Sequence, residues 1–251
     1  MPAVSLPRKL RRLFERVTRT RIYRRTPRGI DLAYDLAESL PKYRVASIFD
    51  VGANVGQSAR AYVEQFPEAQ IYCFEPVQAT FGQLQANVRN HGRVRCFRLA
   101  FGALAQQGTM VLQRSSVLSY LSDDSKPLAD ATTAATEKVE VTTLDEFCRS
   151  QSIDRIGYLK IDTEGGDMGV LKGAQTLLVE QRIDLVQLEA GMNTGNTWHV
   201  PFETLKHHLE QYNYFLFGLY EQVPEWPAKQ PHLRRTNPLF ISSRMIDMHK
   251  G

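Results

Sequence analysis

Cysteine is scarce in this sequence, with three residues (Cys73, Cys96 and Cys148) in a chain of 251. An odd count without a close pair argues against a disulfide framework and a zinc site, so we expect thiols buried in a reducing compartment. No apolar run approaches the roughly 18 residues that a membrane-spanning helix needs. Charges interrupt the basic N-terminus where the apolar part of a secretory signal should follow, and we therefore expect a cytoplasmic protein.

The charge of the chain is distributed unevenly. The formal net charge is +4 and the pI is about 9.0. Residues 1–28, however, hold ten Lys and Arg against one acid, Glu15, so this arm carries +9. The rest of the chain has 21 basic and 26 acidic side chains, or −5. The overall pI therefore says little about the surface where chemistry would take place.

The basic arm shows a helical period. Apolar side chains recur at helical spacing with arginines between them, at Leu6, Leu10, Leu13, Phe14 and Val17. This pattern predicts a basic amphipathic helix. Such a helix can make a peripheral contact with an anionic membrane, where each basic residue adds about 1 kcal/mol. It can equally fold back on the domain with its arginines in solvent, and contact with a nucleic acid is the least favoured use.

From residue 45 onward, predicted strands alternate with predicted helices. The segments "RVASIFDV", "AQIYCFEP", "RIGYLKID" and "IDLVQLEA" are typical of strands, and "VGQSARAYVEQF" and "PFETLKHHLEQY" are typical of helices. This order predicts an α/β fold with a parallel, doubly wound sheet. We assign a basic helical extension to residues 1–44, with a short second helix at 29–40, and one domain to residues 45–251.

Residues 115–138 interrupt the alternation. They are rich in Ser, Thr, Ala and Asp and poor in large apolar side chains. Long irregular segments in compact domains are usually lids or disordered, so we predict a lid or substrate loop here. The following "KVEVTTLDEFCRSQ" predicts a short strand and a helix, with Thr143 as the N-cap and Glu146 completing a capping box.

A glycine-containing turn follows the first predicted strand, in "SIFDVGANVGQSARAY" (residues 47–62). Asp50 and Gly52–Gly56 lie beyond the carboxyl end of this strand, where open α/β sheets bind ligands. Glycine lets the backbone approach a ligand closely, and the N-terminus of the next helix favours an anionic group. The lysine of a nucleoside triphosphate loop is missing, and residue 54 is asparagine where a dinucleotide turn needs glycine.

The third ligand that such a turn can hold is S-adenosylmethionine. Its amino-acid end can rest on the turn while its ribose reaches the next strand. Glu75 closes that strand, 19 residues after Gly56, and a carboxylate there can accept hydrogen bonds from both ribose hydroxyls. The same residues are also explained without a ligand, by a turn with a purely structural role and a glutamate, Glu75, on the surface.

Five segments carry a resemblance to a known family: "FDVGANVGQ", "CFEP", "VTTLDEF", "YLKIDTEGGDMGVLKGA" and "LVQLEA". From about Val45 to Ser242 the chain resembles the FkbM family of S-adenosylmethionine-dependent methyltransferases. The resemblance implies the class I methyltransferase fold, a Rossmann-like sheet of seven strands with the last one antiparallel. It also implies O-methylation, often of sugars or polyketide-type hydroxyls.

The same resemblance implies roles for residues of the cofactor site. The methionine end of the cofactor is expected on Asp50, Gly52, Asn54 and Gly56, the ribose on Glu75, and the adenine near Ala100 and Phe101. This chain departs from the family at Asp167, where Glu is frequent, and Gly166 and Gly169 loosen the start of the helix there. We expect this departure to alter the substrate side rather than cofactor binding.

Three carboxylates are candidates for the catalytic end. Asp162 and Glu189 end two strands of the predicted sheet, and Glu164 follows in the turn after Asp162. A hydroxyl group is a poor nucleophile until it loses its proton. In one interpretation Asp162 is the general base, while Glu164 and Glu189 hold substrate hydroxyls. In a less favoured one, Asp162 and Glu189 bind a divalent cation such as Mg²⁺ or Mn²⁺. Alternatively, Glu164 has no catalytic role and only caps the next helix.

The loop "NTGNTWHVPF" supplies two further candidates. His199 could serve as the base because the pKa of histidine lies close to neutral. Trp198 could stack on the face of a sugar. Alternatively, His199 is a surface residue, Trp198 only packs against the fold, and neither has a functional role.

Two other functions compete with small-molecule O-methylation. A nucleic-acid methyltransferase that acts on base amino groups usually has Asn/Asp-Pro-Pro-aromatic after the fourth strand, and this chain has "KIDTEG" there. We therefore do not expect a nucleic-acid partner, although the basic arm could bind phosphate weakly. A non-catalytic, membrane-associated scaffold is the other alternative, and intact Asp50, Gly52, Glu75 and Asp162 argue against it. The sequence does not identify the acceptor or the oligomeric state.

Overall fold

A computed structural model of the chain describes residues 14–21, 23, 25–112, 120–121, 135–225 and 230–250. Residues 14–18 are helical. The helices that follow are α1 (Leu32–Ser39), α2 (Gln57–Gln65), α3 (Gln78–Val88), α4 (Leu144–Ser150), α5 (Asp167–Lys172), α6 (Gln175–Val179), α7 (Phe202–Glu210) and α8 (Ser243–Met248). The strands are β1 (Ser47–Val51), β2 (Gln70–Phe74), β3 (Val94–Phe97), β4 (Ala100–Phe101), β5 (Gln106–Leu112), β6 (Tyr120–Leu121), β7 (Ala135–Thr142), β8 (Ile156–Ile161), β9 (Ile183–Leu188), β10 (Ala190–Gly191), β11 (Tyr214–Glu225) and β12 (Gln230–Ser242).

The main sheet has the order β3-β2-β1-β8-β9-β12-β11, and the short β10 also pairs with β12. The pairs among β3, β2, β1, β8 and β9 are parallel, whereas β12 is antiparallel to both β9 and β11. The predicted doubly wound sheet with an antiparallel last strand is therefore confirmed. The strand order changes direction between β1 and β8, and such a switch point is where ligands bind in this kind of sheet.

Both faces of the sheet are buried, which explains why its central strands are mostly apolar. Every residue of β8 and β9 is buried. Alternate residues point to opposite faces, so Phe49 belongs to one core cluster and Ile48 to the other. The first cluster contains a group of contacting rings, in which Phe74 and Phe147 lie edge to face with centroids 4.9 Å apart.

A second sheet, β4-β7-β5-β6, is separate from the main sheet and was not predicted. The sequence predicts one strand over residues 93–102, "RVRCFRLAFG", but β3 pairs with β2 and β4 pairs with β7 in the other sheet. That prediction was wrong because the chain leaves the first sheet between the two short strands. Most of the predicted lid (115–138) lies outside the described residues, while 120–121 and 135–138 are strand.

The helix predicted after Asp162 divides into α5 and α6 at Gly173. A Cβ on Gly173 would lie 2.1 Å from the carbonyl oxygen of Gly102, so the backbones meet there. The Asp145 carboxylate accepts hydrogen bonds from the backbone N–H groups of Thr176 and Leu177 and thereby caps α6. The predicted cap at Thr143 is confirmed, since its hydroxyl oxygen accepts from the N–H of Glu146 at 3.1 Å.

The segment before β1 packs on the same core as the rest of the domain. Arg28 lies over the ring of Phe217 at 4.4 Å. The Asp35 carboxylate accepts hydrogen bonds from Gly29 N–H and from the Tyr220 hydroxyl, and Leu36 is buried. Residues 28–40 are thus integrated into the fold. The apolar positions of the predicted arm helix before residue 14 lie outside the described residues, and membrane contact stays a prediction. Within the described part, no helix combines the length and apolar character needed to cross a membrane.

Candidate active site

A cavity of about 810 Å³ opens at the carboxyl ends of the strands around the switch point. It is lined by the turn after β1, the end of β2, β4 and the turn after β8. Seven residues predicted for the site are among its lining: Gly52, Asn54, Glu75, Ala100, Phe101, Asp162 and Glu164. The volume lies within the roughly 300–1,000 Å³ of small-molecule and cofactor sites.

The two glycines of the turn are required by the fold itself. Gly52 has φ +84°, and a Cβ on it would lie 1.9 Å from the carbonyl oxygen of Asp162. Gly56 has φ +89° and is the N-cap of α2, and a Cβ there would lie 2.9 Å from a methyl carbon of Leu84. Gly52 lines the cavity, whereas Gly56 is buried against α3, so its expected contact with a cofactor stays a prediction.

Glu75 occupies the position predicted for a ribose ligand. Its Oε1 accepts a hydrogen bond from the backbone N–H of Val77 at 2.9 Å, which holds the side chain at the end of β2. Burial raises the pKa of Glu75 to about 7, although the N–H groups of Val77 and Asn54 act in the opposite direction. The carboxyl group is therefore held in place at the cavity wall.

Asp50 lies one residue before the end of β1 and is fully buried. Neither of its carboxyl oxygens has a hydrogen-bond partner among the described residues. Burial raises its pKa to about 6, and the charge of Lys160 limits this rise. A buried carboxyl group without a partner is stabilised by positive charge close by.

Asp162 lines the cavity and forms an ion pair with Lys160, whose Nζ lies 2.7 Å from Oδ2. Burial raises the pKa of Asp162, but Lys160, Arg235 and His199 together outweigh it and hold the pKa below its usual range. Asp162 is therefore ionised at neutral pH. Lys160 was not predicted, although a charged residue within the apolar run "YLKID" was a usable signal.

Glu189 and His199 form a buried pair next to the cavity. His199 Nε2 lies 2.8 Å from Glu189 Oε2, and the guanidinium of Arg235 contacts the other carboxylate oxygen. His199 Nδ1 faces the side-chain amide of Asn196, at 2.9 Å from Nδ2 and 3.0 Å from Oδ1. The Trp198 backbone N–H donates to the same Asn196 Oδ1. Sequence reasoning found Glu189, His199 and Trp198 but not Asn196 or Arg235.

Glu164 links this buried pair to the cavity. It lines the cavity, has φ +52°, and has an oxygen within 4.8 Å of ligand atoms of Glu189 and His199. Burial, followed by the charges of Glu189, Asp162 and Asp167, raises the pKa of Glu164 to about 8. The first turn of α5 contains Asp167 rather than Glu164. The three side chains Glu164, Glu189 and His199 are hereafter called the acidic cluster.

Comparison with known proteins identifies the family. A family model described as the methyltransferase FkbM domain matches residues 50–216. The 2-O-methyltransferase NoeI of Sinorhizobium fredii is 24% identical over 149 residues, covering 54% of this chain and 60% of the relative. The hexuronic acid methyltransferase AglP of Haloferax volcanii is 25% identical over 147 residues, covering 58% and 57%. The chain thus spans about three fifths of the length of these curated relatives.

Among solved structures, M. capricolum TrmK in complex with S-adenosylhomocysteine is 14% identical with a TM-score of 0.45, covering 82% of this chain and 67% of that one. The strand order and the antiparallel β12 are those of the class I methyltransferase fold. The matched segment begins at Asp50 and includes the glycine turn, Glu75, Asp162, Glu164 and Glu189. The chain therefore belongs to the FkbM methyltransferase family.

Proposed function

We propose that this protein is a methyltransferase that uses S-adenosylmethionine to methylate a hydroxyl group of a sugar, a glycan or a polyketide-like small molecule. The observation that carries the proposal is one cavity with the glycine turn and Glu75 on its wall together with Asp162 and Glu164. The proposed cofactor position and the proposed proton acceptor would therefore share one space. The names of NoeI and AglP, a 2-O-methyltransferase and a hexuronic acid methyltransferase, support a sugar acceptor.

The residues present fit the cofactor. Gly52 and Asn54 line the cavity, so the backbone of the turn is accessible to a ligand there. The carboxyl group of Glu75 on the cavity wall suits the ribose hydroxyls of such a ligand. Gly52 and Asn54 would hold the amino-acid end, Glu75 the ribose, and Ala100 and Phe101 the adenine. When bound, the cofactor would supply a methyl group that leaves sulfur for the acceptor oxygen, with the hydroxyl proton left for the protein.

The protein's own work is then to orient the acceptor hydroxyl and to take its proton. Good orientation alone can correspond to an effective molarity of about 10⁵ M or more. Asp162, kept ionised by Lys160, would accept a hydrogen bond from the hydroxyl and take its proton. Glu164, on the same cavity wall, would hold another hydroxyl group of the acceptor. Glu189 and His199 would support Glu164 from behind the cavity wall.

Calorimetric titration of S-adenosylmethionine and S-adenosylhomocysteine tests the cofactor. We expect micromolar binding to the wild type and a roughly 10- to 100-fold weaker affinity for Glu75→Ala, because hydrogen bonds to a charged group are lost. Glu64→Ala, an exposed glutamate on α2, is the matched control and should bind as the wild type does. Absence of binding to the wild type would contradict the proposal.

Release of S-adenosylhomocysteine in the presence of hydroxylated acceptors tests the substrate class. Neutral hexoses, hexuronic acids and polyketide-like alcohols should be compared at the same concentration. Turnover with a sugar acceptor, accompanied by a new O-methyl signal, would support the proposal. Methylation of RNA or of an amine, with no turnover on hydroxyl acceptors, would overturn it.

A further inference from the structure

We propose that the acidic cluster (Glu164, Glu189 and His199) is a binding site for one divalent cation of the Mn²⁺ type. One ligand atom from each of the three side chains lies within 4.8 Å of the other two. Two carboxylates and one imidazole form a donor set that suits Mn²⁺, since carboxylates are hard ligands and imidazole is a softer one. The site differs from the Asp162–Glu189 pair suggested by the sequence, because Asp162 is engaged by Lys160.

The three ligands are fixed by separate elements that converge at the end of the sheet. Glu164 lies in the turn after β8, Glu189 follows β9 directly, and His199 lies in the loop before α7. Glu189 and His199 are buried, and the guanidinium of Arg235 fixes one oxygen of Glu189. The arrangement therefore needs little reorganisation to hold an ion.

The surroundings of His199 are those of a metal-ligating imidazole. The Asn196 amide is oriented by its own contacts: Oδ1 accepts from the His199 backbone N–H, and Nδ2 donates to the Arg234 carbonyl. The Asn196 side chain offers His199 Nδ1 an acceptor, Oδ1, at 3.0 Å and a donor, Nδ2, at 2.9 Å. With Nδ1–H donating to Oδ1, the lone pair of Nε2 is available on the side of Glu189. Such a second hydrogen bond fixes the tautomer of most metal-bound histidines.

The charge around the cluster also favours a cation. Five carboxyl groups lie in or next to the cluster: Asp50, Asp162, Glu164, Asp167 and Glu189. They outnumber the basic groups paired with them, which are Lys160, Arg235 and the imidazole of His199. Asp167 is fully buried, and its Oδ1 has no hydrogen-bond partner among the described residues. The raised pKa of Asp167, about 7, has burial as its largest cause, followed by the charges of Asp162 and Glu189.

The position of the cluster gives the cation a role in methyl transfer, and this part of the inference rests on the proposed function. Glu164 lines the cavity, so an ion bound to it is next to the space for the acceptor. A cation that binds the hydroxyl oxygen lowers the pKa of that hydroxyl and allows deprotonation near neutral pH. Asp162 lies on the same wall of the cavity and is then the carboxylate positioned to receive the proton.

Mn²⁺ titration followed by electron paramagnetic resonance tests the site in the full-length chain after chelator treatment. We expect the wild type to remove one equivalent of Mn²⁺ from the free signal. Glu164→Gln should weaken binding by at least about tenfold, whereas the exposed Glu146→Gln on α4 should bind as the wild type does. Asp162→Asn, which removes charge but no proposed ligand, should weaken binding less than Glu164→Gln.

His199→Gln provides an independent check, with circular dichroism confirming that the variant is folded. Absence of stoichiometric binding at millimolar Mn²⁺, or equal binding by wild type and Glu164→Gln, would overturn the site. A larger loss in Asp162→Asn than in Glu164→Gln would overturn this ligand set as well. Calorimetry with S-adenosylhomocysteine in parallel separates the two proposals. Cofactor binding without Mn²⁺ binding rejects only the cation site, and the reverse result rejects only the proposed function.

Discussion

Lys160 Nζ and Asp162 Oδ2 lie 2.7 Å apart where β8 reaches the cavity. Lys160 is buried, and its charge acts on Asp50 as well as on Asp162. The buried ammonium thus compensates two carboxyl groups, one of them without a hydrogen-bond partner among the described residues. The ionised state of Asp162 at the cavity wall therefore depends on Lys160.

Replacement of Lys160 should therefore be costly and pH-dependent. We expect Lys160→Met to lower the free energy of unfolding by about 3–5 kcal/mol at pH 8, as when one partner of a buried pair is removed. The loss should be smaller at pH 5.5, because Asp50 and Asp162 can then be protonated. Urea unfolding at both pH values measures this, with the exposed Lys42→Met as control. An equal loss at both values would contradict the explanation.

The stability of the ligand-free protein should fall as the pH rises from about 5 to 8. Burial is the largest cause that raises the pKa values of Asp50, Glu75, Asp167 and Glu164, to about 6, 7, 7 and 8. Folded-state pKa values above those of the unfolded chain mean that the folded protein binds more protons in this window. Their stabilising contribution is complete at low pH and is lost as the pH rises through each folded pKa.

Thermal unfolding at several pH values checks this expectation. The unfolding temperature should decrease across the window, and S-adenosylhomocysteine should raise it at pH 8 if it binds the folded state. An unfolding temperature that increases steadily from pH 5 to pH 8 would show that these carboxyl groups are not buried as described.

Gly52→Ala should be strongly destabilising, whereas Gly82→Ala should be mildly stabilising. Gly52 has a positive φ and no space for a Cβ beside the Asp162 carbonyl, so we expect a loss of about 3 kcal/mol or more. Gly82 is exposed in α3 with nothing within 4 Å of an added Cβ, and alanine should add about 0.5–1 kcal/mol. Urea unfolding of both variants measures the difference. Similar stabilities would argue that the turn after β1 adapts to a side chain.

Removal of residues 1–21 should leave the domain folded, because Arg28 and Asp35 still contact β11. Removal of residues 1–40 should destabilise it, since Asp35 and Leu36 would be lost from the core. Circular dichroism and thermal unfolding compare the two truncations. Equal stability of both would contradict the described packing.

Co-sedimentation with anionic vesicles tests whether the basic arm binds membranes or folds back on the domain. If the full chain binds vesicles and the chain without residues 1–21 does not, the arm contacts membranes. If neither binds, the arm folds back on the domain or stays in solvent.

Local interactions explain which parts of the site could be predicted. The glycine turn after β1 and the acid at the end of β2 follow from a strand, a turn and a helix in sequence, so Gly52 and Glu75 were found correctly at the cavity. The break at Gly173 was not predicted, because its cause is the backbone of Gly102, about 70 residues away along the chain. The second sheet was missed for a similar reason, since β4 and β7 are separated by the segment 102–134.

The α/β alternation, the family and the carboxyl-end location of the candidate site follow from the sequence, because they depend on periodicity and on motifs read along the chain. The surroundings of each acidic residue follow from the tertiary structure alone. Lys160 engages Asp162, while Glu164 comes within reach of Glu189 and His199. The charge state and ligand capacity of a carboxyl group depend on burial and on neighbours brought from distant strands, and no local pattern encodes either.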